Sequence, residues 1–196
     1  MHASSTQIEF WKIWTDYGLI VVQAAPLAIF YIIPKQRVRF FYYLVLFSFV
    51  MLVMNVTKLS YADPRPYWVA SDIVAYKCSN QYGNPSGHSE TSMGIAMTLW
   101  LDYAFTNASN LRKGVLLFAA LLFAFSIGYS RLILGVHSLD QIIYGLSLGV
   151  WIAFTMQYCV RPDLDPHVAS LLKNKAERLS DRFFANLIIL AIIVGG

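Results

Sequence analysis

Apolar residues along this chain fall in blocks of about 15–22 separated by short polar stretches, a spacing that predicts membrane-length helices rather than strands. Six blocks can be marked, at about 18–33, 40–58, 86–105, 113–130, 139–160 and 183–196. Trp11, Trp14 and Tyr17 precede the first block and suit the headgroup level. Pro26 lies inside it and predicts a kink that neighbouring helices can tolerate. The last block holds about 14 residues against the roughly 20 a span needs, so it is expected to be half a span or cut short. Residues 59–85 carry Pro64, Pro66 and Pro85 among aromatics and read as a long ordered loop. Residues 161–182 open on Pro162 and Pro166 and then read as an interfacial amphipathic helix, with Val168, Leu171, Leu172 and Leu179 on one side. The expected fold is one all-α domain over residues 1–196, a polytopic membrane bundle of about six transmembrane helices.

Composition agrees with this reading. The chain is 57% hydrophobic and 13% charged, against about 25% charged residues in an average soluble domain. Disorder, a disulfide-stapled domain and nucleic-acid binding are disfavoured. Met1 to Asp16 lacks the pattern of a cleavable signal peptide. Cys78 and Cys159 fall at opposite ends of the bundle and cannot pair with each other.

Charge sets the expected orientation. If the helices alternate, the N-terminus and the loops after the second and fourth helices share one end, and the other loops share the opposite end. Ten of the 15 Lys and Arg residues belong to the second group. The positive-inside rule therefore places that end in the cytosol and the first in a lumen or the cell exterior.

The costly groups gather at the non-cytosolic end. Lys58 ends the second helix, Arg65 follows, His88 lies in the first turn of the third, Arg131 ends the fourth and His137 precedes the fifth. Ionisable residues at such positions default to a functional reading. Singly, the three bases can be snorkelling anchors, but five groups converging on one end outweigh that explanation. Ser86 is placed to cap the third helix, whose first turn offers free N–H groups to an anion, with Gly87 allowing close approach. Three fixed cations suit a phosphate. Of the two histidines, one can attack phosphorus and the other protonate the leaving oxygen. No cluster of carboxylates or of Cys and His stands at this end to hold a divalent metal, and no cofactor is expected. Glu90 reads equally as a partner of His88 and as a solvated acid at a helix N-terminus. Gly145-x3-Gly149 reads first as a helix-packing patch.

Lys58-x6-Arg65-Pro66, Pro85-Ser86-Gly87-His88 and Ser130-Arg131-x5-His137 resemble, in order, the three signature motifs of the type 2 phosphatidic acid phosphatase and vanadium haloperoxidase superfamily. The motif stretch covers residues 58–145. The resemblance implies a metal-independent phosphoric monoester hydrolase working through a phosphohistidine. Carried over by position, His137 is the nucleophile and His88 the general acid that then activates water. Lys58, Arg65 and Arg131 bind phosphate, with hydrogen bonds from Ser86, Gly87 and Ser130. The implied substrate is a lipid phosphate or isoprenoid diphosphate. A sugar phosphate and a catalytically silent scaffold are the alternatives.

One position departs from the pattern. The family usually has Asp four residues after the nucleophilic His, where it orients the imidazole. Here Gln141 stands at that position and Asp140 one residue earlier. Gly145 favours the register in which Gln141 faces the site. Such a Gln, together with Arg65-Pro66-Tyr67-Trp68 and Cys78 before the Gly-x-Pro-Ser-Gly-His run, resembles the glucose-6-phosphatase branch.

Overall fold

The computed structural model describes residues 4–174, and within them the chain is built from helices and connecting loops. Helix α1 spans Ser5–Ile32 and α2 spans Arg37–Tyr61, separated by a short turn at Pro34–Gln36. A single turn, α3, covers Pro66–Val69 inside the long loop. Helices α4 (Gly87–Ala104), α5 (Asn110–Ile133) and α6 (Leu139–Thr155) follow. A π turn at Met156–Val160 carries α6 directly into α7, Arg161–Asn174. Among the described residues, four stretches are long and apolar enough to cross a membrane: Ser5–Ile32, Pro34–Val69, Asn110–Ile133 and Leu139–Lys173. The sixth expected helix lies outside the described residues.

The second to fifth blocks form helices close to the expected bounds, whereas α1 starts 13 residues before the expected Gly18. Its entry is fixed by a capping box, in which Ser4 Oγ accepts from the Gln7 N–H and Gln7 Oε1 accepts from the Ser4 N–H. The charged residues of this early stretch are paired. Lys12 meets Glu9 at 2.9 Å one turn away, and Asp16 takes both carboxylate oxygens to Lys77 Nζ at 2.6 and 2.7 Å. Beyond residue 160 the chain continues as helix through Pro166. Val168 is buried and Leu172 packs on Phe40 and Leu44 of α2, while Leu171 is exposed.

Helix α4 is the axis of the bundle, in contact with α1, α2, α5 and α6. Its run from Ser89 to Thr98 is buried throughout. That position explains a sequence rich in Ser, Thr and Gly: its neighbours are protein rather than lipid, and Ser92 and Thr98 return their hydroxyls to the Ser89 and Gly94 carbonyls. Small residues bring α6 against it. A Cβ on Gly149 would fall 2.5 Å from the Glu90 carbonyl oxygen, and one on Gly145 would fall 2.6 Å from that of Ser86. The Gly145-x3-Gly149 pair is therefore where two backbones touch. Outside this axis, Ile20, Leu52, Phe118 and Leu122 present apolar side chains outward.

The two ends differ in chemistry. At one, Ile8 of α1 packs on Leu134 and Val136 beside Tyr67 and Tyr76. At the other, Arg161 pairs with Asp102 and Asp165 and lies 4.6 Å over the Tyr42 ring, while the Tyr43 hydroxyl donates to Asp102. The expected constellation sits at the first end.

Candidate active site

Three turns carry the site. Helix α2 ends at Ala62, a left-handed residue (φ 47°) whose N–H returns to the Lys58 carbonyl at 2.9 Å, and this sharp exit sends the chain through Asp63 and Pro64 to Arg65. Between α5 and α6, Gly135 takes a φ of 67°, where a Cβ would collide with the Val74 carbonyl, so only glycine fits the turn that delivers His137. At the start of α4, the Ser86 N–H donates to the Gln141 carbonyl at 3.0 Å and fastens this N-terminus to the first turn of α6.

These turns place Lys58, Arg65, Gly87, His88, Arg131 and His137 on one cavity of about 360 Å³. Lys77, Cys78, Ser79 and Gln81 of the long loop line it as well, and Leu19, Phe47, Met51 and Met54 form its apolar flank. Lys58, Arg65, Arg131 and His137 are each at most 5% exposed. Three cations are thus held at close quarters with little solvent to screen them. Arg65 is the most tightly fixed: its Nε donates to the Gln81 carbonyl at 2.7 Å, and one terminal nitrogen reaches the Val136 carbonyl at 3.1 Å and His137 Nε2 at 3.3 Å. Lys58 Nζ donates to Gln81 Oε1 at 3.1 Å. Arg131 differs, keeping Nε and one terminal nitrogen buried without a protein acceptor. Such N–H groups are costly unless something with lone pairs meets them, and an oxyanion does so bidentately.

The protonation of His137 is fixed by its neighbours. Gln141 Nε2 donates to Asp63 Oδ2 and to the Pro64 carbonyl, both at 3.0 Å, which leaves Gln141 Oε1 as an acceptor 3.2 Å from His137 Nδ1. The proton of the neutral ring therefore sits on Nδ1, and Nε2 carries the lone pair. Burial, then the Arg65 and Arg131 charges, hold the His137 pKa well below the ordinary imidazole value against the opposing pull of Gln141. At neutral pH the ring is uncharged. A neutral imidazole whose Nε2 lone pair faces a cationic cavity, met there by an Arg65 N–H at 3.3 Å that must swing to an incoming phosphate, can attack an electrophilic phosphorus.

Three expected site residues stand apart from the cavity. Ser130 is fully buried, its hydroxyl donating to the Ile127 carbonyl and meeting Thr15 Oγ1 of α1, each at 2.5 Å. Its single proton is already used. Ser86 occupies the cap position of α4 without a side-chain cap, and its Oγ accepts from Ser89 Oγ at 2.9 Å. Asp140 is exposed in the first turn of α6, while Gln141, one residue on, is buried against His137. Glu90 is fully buried with both carboxylate oxygens unpartnered, which rules out the solvated acid. Sequence reasoning missed Gln81, which organises Lys58 and Arg65 together, and Asp63. No periodicity signals either, because each meets its partner across a loop.

A helical integral-membrane protein with three buried cations and two imidazoles around one cavity is the class that this fold and site define. Residues 38–164 match the PAP2 superfamily, and the chain belongs to it. It is 34% identical over 98 residues to the dolichyldiphosphatase of Saccharomyces cerevisiae, covering 48% of this chain and 41% of that protein. The chain thus aligns with less than half the length of this curated relative. Two solved structures share the fold. The transmembrane PAP2-type phosphatidylglycerolphosphate phosphatase of Bacillus subtilis matches with a TM-score of 0.61 and 20% identity, over 91% of this chain and 82% of that one. Aquifex aeolicus LpxE matches with a TM-score of 0.60 and 21% identity, over 79% and 87% respectively.

Proposed function

We propose that this chain is a membrane phosphatase that hydrolyses a lipid phosphate or isoprenoid diphosphate through a phosphohistidine at His137. The observation that carries the reading is the lone pair of His137 Nε2, held by the Nδ1–Gln141 contact beside the unpartnered N–H groups of Arg131. Lys58, Arg65 and Arg131 take the phosphoryl oxygens and the charge that develops on them in transfer. Nε2 forms a bond to phosphorus as the bond to the leaving oxygen breaks, and His88, the other imidazole on the cavity, gives that oxygen its proton. His88 then takes a proton from water, which attacks the phosphohistidine and releases inorganic phosphate. The positive charge a metal would bring is supplied by three side chains.

The apolar flank favours a lipid over a sugar. Leu19, Phe47, Met51 and Met54 border the cavity on the side of α1 and α2. A prenyl or acyl tail is at home against them, whereas the hydroxyls of a hexose are not. The yeast relative, named for a dolichyl diphosphate, points the same way. The excess of Lys and Arg at the opposite end supports a non-cytosolic orientation for this one, facing the endoplasmic reticulum lumen or the cell exterior.

A phosphate-release panel with purified full-length chain tests the reading, comparing an isoprenoid diphosphate, phosphatidate and glucose 6-phosphate. Release from the lipid substrates, resistant to chelator and blocked by vanadate, is the expected result. Preference for glucose 6-phosphate refutes the substrate class, and loss in chelator with recovery in magnesium refutes the mechanism.

A further inference from the structure

We infer that Asp63 is a positioning residue whose carboxylate acts on His137 through the side-chain amide of Gln141. A histidine–amide–carboxylate chain then stands where the superfamily pattern has a direct histidine–carboxylate contact. The inference rests on the proposed role of His137 and adds a residue to it.

The chain of bonds runs in one direction only. His137 Nδ1–H donates to Gln141 Oε1 at 3.2 Å, and Gln141 Nε2–H donates to Asp63 Oδ2 at 3.0 Å. The second Nε2 proton goes to the Pro64 carbonyl at 3.0 Å, and the Ser138 N–H approaches Oε1 at 3.3 Å. Every group around the amide matches this orientation, and flipping it would set Oε1 against two acceptors. Space is equally committed. A Cβ on Gly83 would fall 2.5 Å from Gln141 Nε2 and 2.7 Å from Oε1, and the Gly83 N–H donates to the Asp63 carbonyl at 2.7 Å. The loop is closed down on the amide and tied to the residue that accepts from it.

The electrostatics supply the reason. The groups around His137 are Arg65 from the loop, Lys58 of α2, His88 of α4, Arg131 of α5 and Gln141 of α6. A ring that becomes a phosphoimidazolium among three cations needs negative charge behind it, and Gln141 brings none of its own. Asp63 is the carboxylate that this hydrogen-bonded chain reaches. A polarised amide passes part of its effect along, at a cost in strength compared with direct contact.

The test uses full-length protein in nanodiscs and has two readouts. Asp63→Asn keeps an acceptor for Gln141 and removes the charge. It is expected to lower kcat about tenfold with KM within twofold, and to move the acid limb of the rate profile down by about half a pH unit. Gln141→Asp alone sets two carboxylates side by side, whereas Gln141→Asp combined with Asp63→Asn recreates one direct carboxylate and should be the more active of the two. A structural role for Asp63 would lower activity without moving the acid limb and without that rescue. Independently of turnover, ¹⁵N spectra of imidazole-labelled protein should show His137 neutral with its proton on Nδ1, and titrating at lower pH in Asp63→Asn. A proton on Nε2 in the wild type, or an unchanged titration in the variant, overturns the inference. Absence of phosphate release from every substrate, with the spectra as expected, refutes the proposed activity and leaves the coupling standing.

Discussion

The contact of α6 with α4 makes a sharp prediction for Gly145→Ala. Gly145 lies one turn beyond Gln141, and its missing side chain faces the carbonyl of Ser86, the residue before Gly87-His88. The added methyl would sit 2.6 Å from that oxygen and 3.3 Å from the Glu90 nitrogen, whereas real Cβ contacts stay above 3.0 Å. Both neighbours are backbone, tied to each other by the Glu90 N–H bond to the Ser86 carbonyl at 3.0 Å, and cannot turn away, so the helices must part by about 0.4 Å or more at this level. Overpacking of this kind costs about 1–3 kcal/mol, which at this chain length lowers the unfolding midpoint by about 3–8 °C. The same shift separates His88 on α4 from Gln141 on α6 and from His137 just before it. A misplacement of about 1 Å can cost about 100-fold in rate, so a loss of at least about tenfold in kcat is expected. A glycine series calibrates the result. Gly149→Ala meets backbone at 2.5 and 2.8 Å and should destabilise as strongly. Gly128→Ala meets the movable Ile142 methyl at 2.9 Å and should cost less, and Gly114→Ala meets nothing within 4 Å. That last change should leave activity unaltered and stabilise α5 by up to about 1 kcal/mol. Thermal unfolding in one detergent and initial phosphate-release rates give both quantities. Wild-type kcat and midpoint in Gly145→Ala would refute the argument that close backbone approach sets the spacing of the two histidines.

Three further outcomes are expected. His137→Ala should abolish both turnover and acid-labile labelling by ³²P substrate, and label that persists would reassign the nucleophile. Because Arg131 is one of the charges holding the His137 pKa down, Arg131→Met should raise that pKa. As pH falls, protonation then removes the nucleophile sooner, moving the acid limb of kcat/KM up by about half a unit or more; a fixed or lowered limb contradicts this. In a background lacking Cys78 and Cys159, a cysteine at Asn107 should react with an impermeant maleimide only from the cytosol and one at Ser71 only from the other side; the reverse labelling inverts the orientation.

The helices were legible because hydropathy reports burial in lipid or protein alike, and the three motifs were legible because their spacings are local. What sequence could not show were contacts closed by the third dimension. Asp63 and Gln141 are 78 residues apart, and nothing in the loop composition joins them. One helical turn brings both Asp140 and Gln141 within reach of His137, and the register with Gly145 is what favours Gln141 in the sequence. Ser130 is a phosphate ligand by the motif resemblance, yet its hydroxyl donates to the Ile127 carbonyl and meets Thr15, a neighbour set by how α1 leans on α5. The early start of α1 is not legible from an unbroken apolar run, because Glu9, Lys12 and Asp16 interrupt it and find their partners only once folded, in the Glu9–Lys12 and Asp16–Lys77 pairs.

The burial of α4 also constrains how the protein is made. Its polar residues are tolerable only inside the bundle, and it is not among the stretches apolar enough to cross a membrane by themselves. Emerging from the ribosome, α4 meets the bilayer before α5 and α6 exist to cover Ser89, Glu90, Ser92 and Thr98. Its stable insertion must wait for those two helices, which enter with it as a unit and close over its polar face. A nascent chain halted within residues 105–109 would leave α4 outside the hydrocarbon, and one extended past Thr155 would not. The helix that carries His88 therefore settles together with α5 and α6, so the cavity and the membrane topology are completed in the same event.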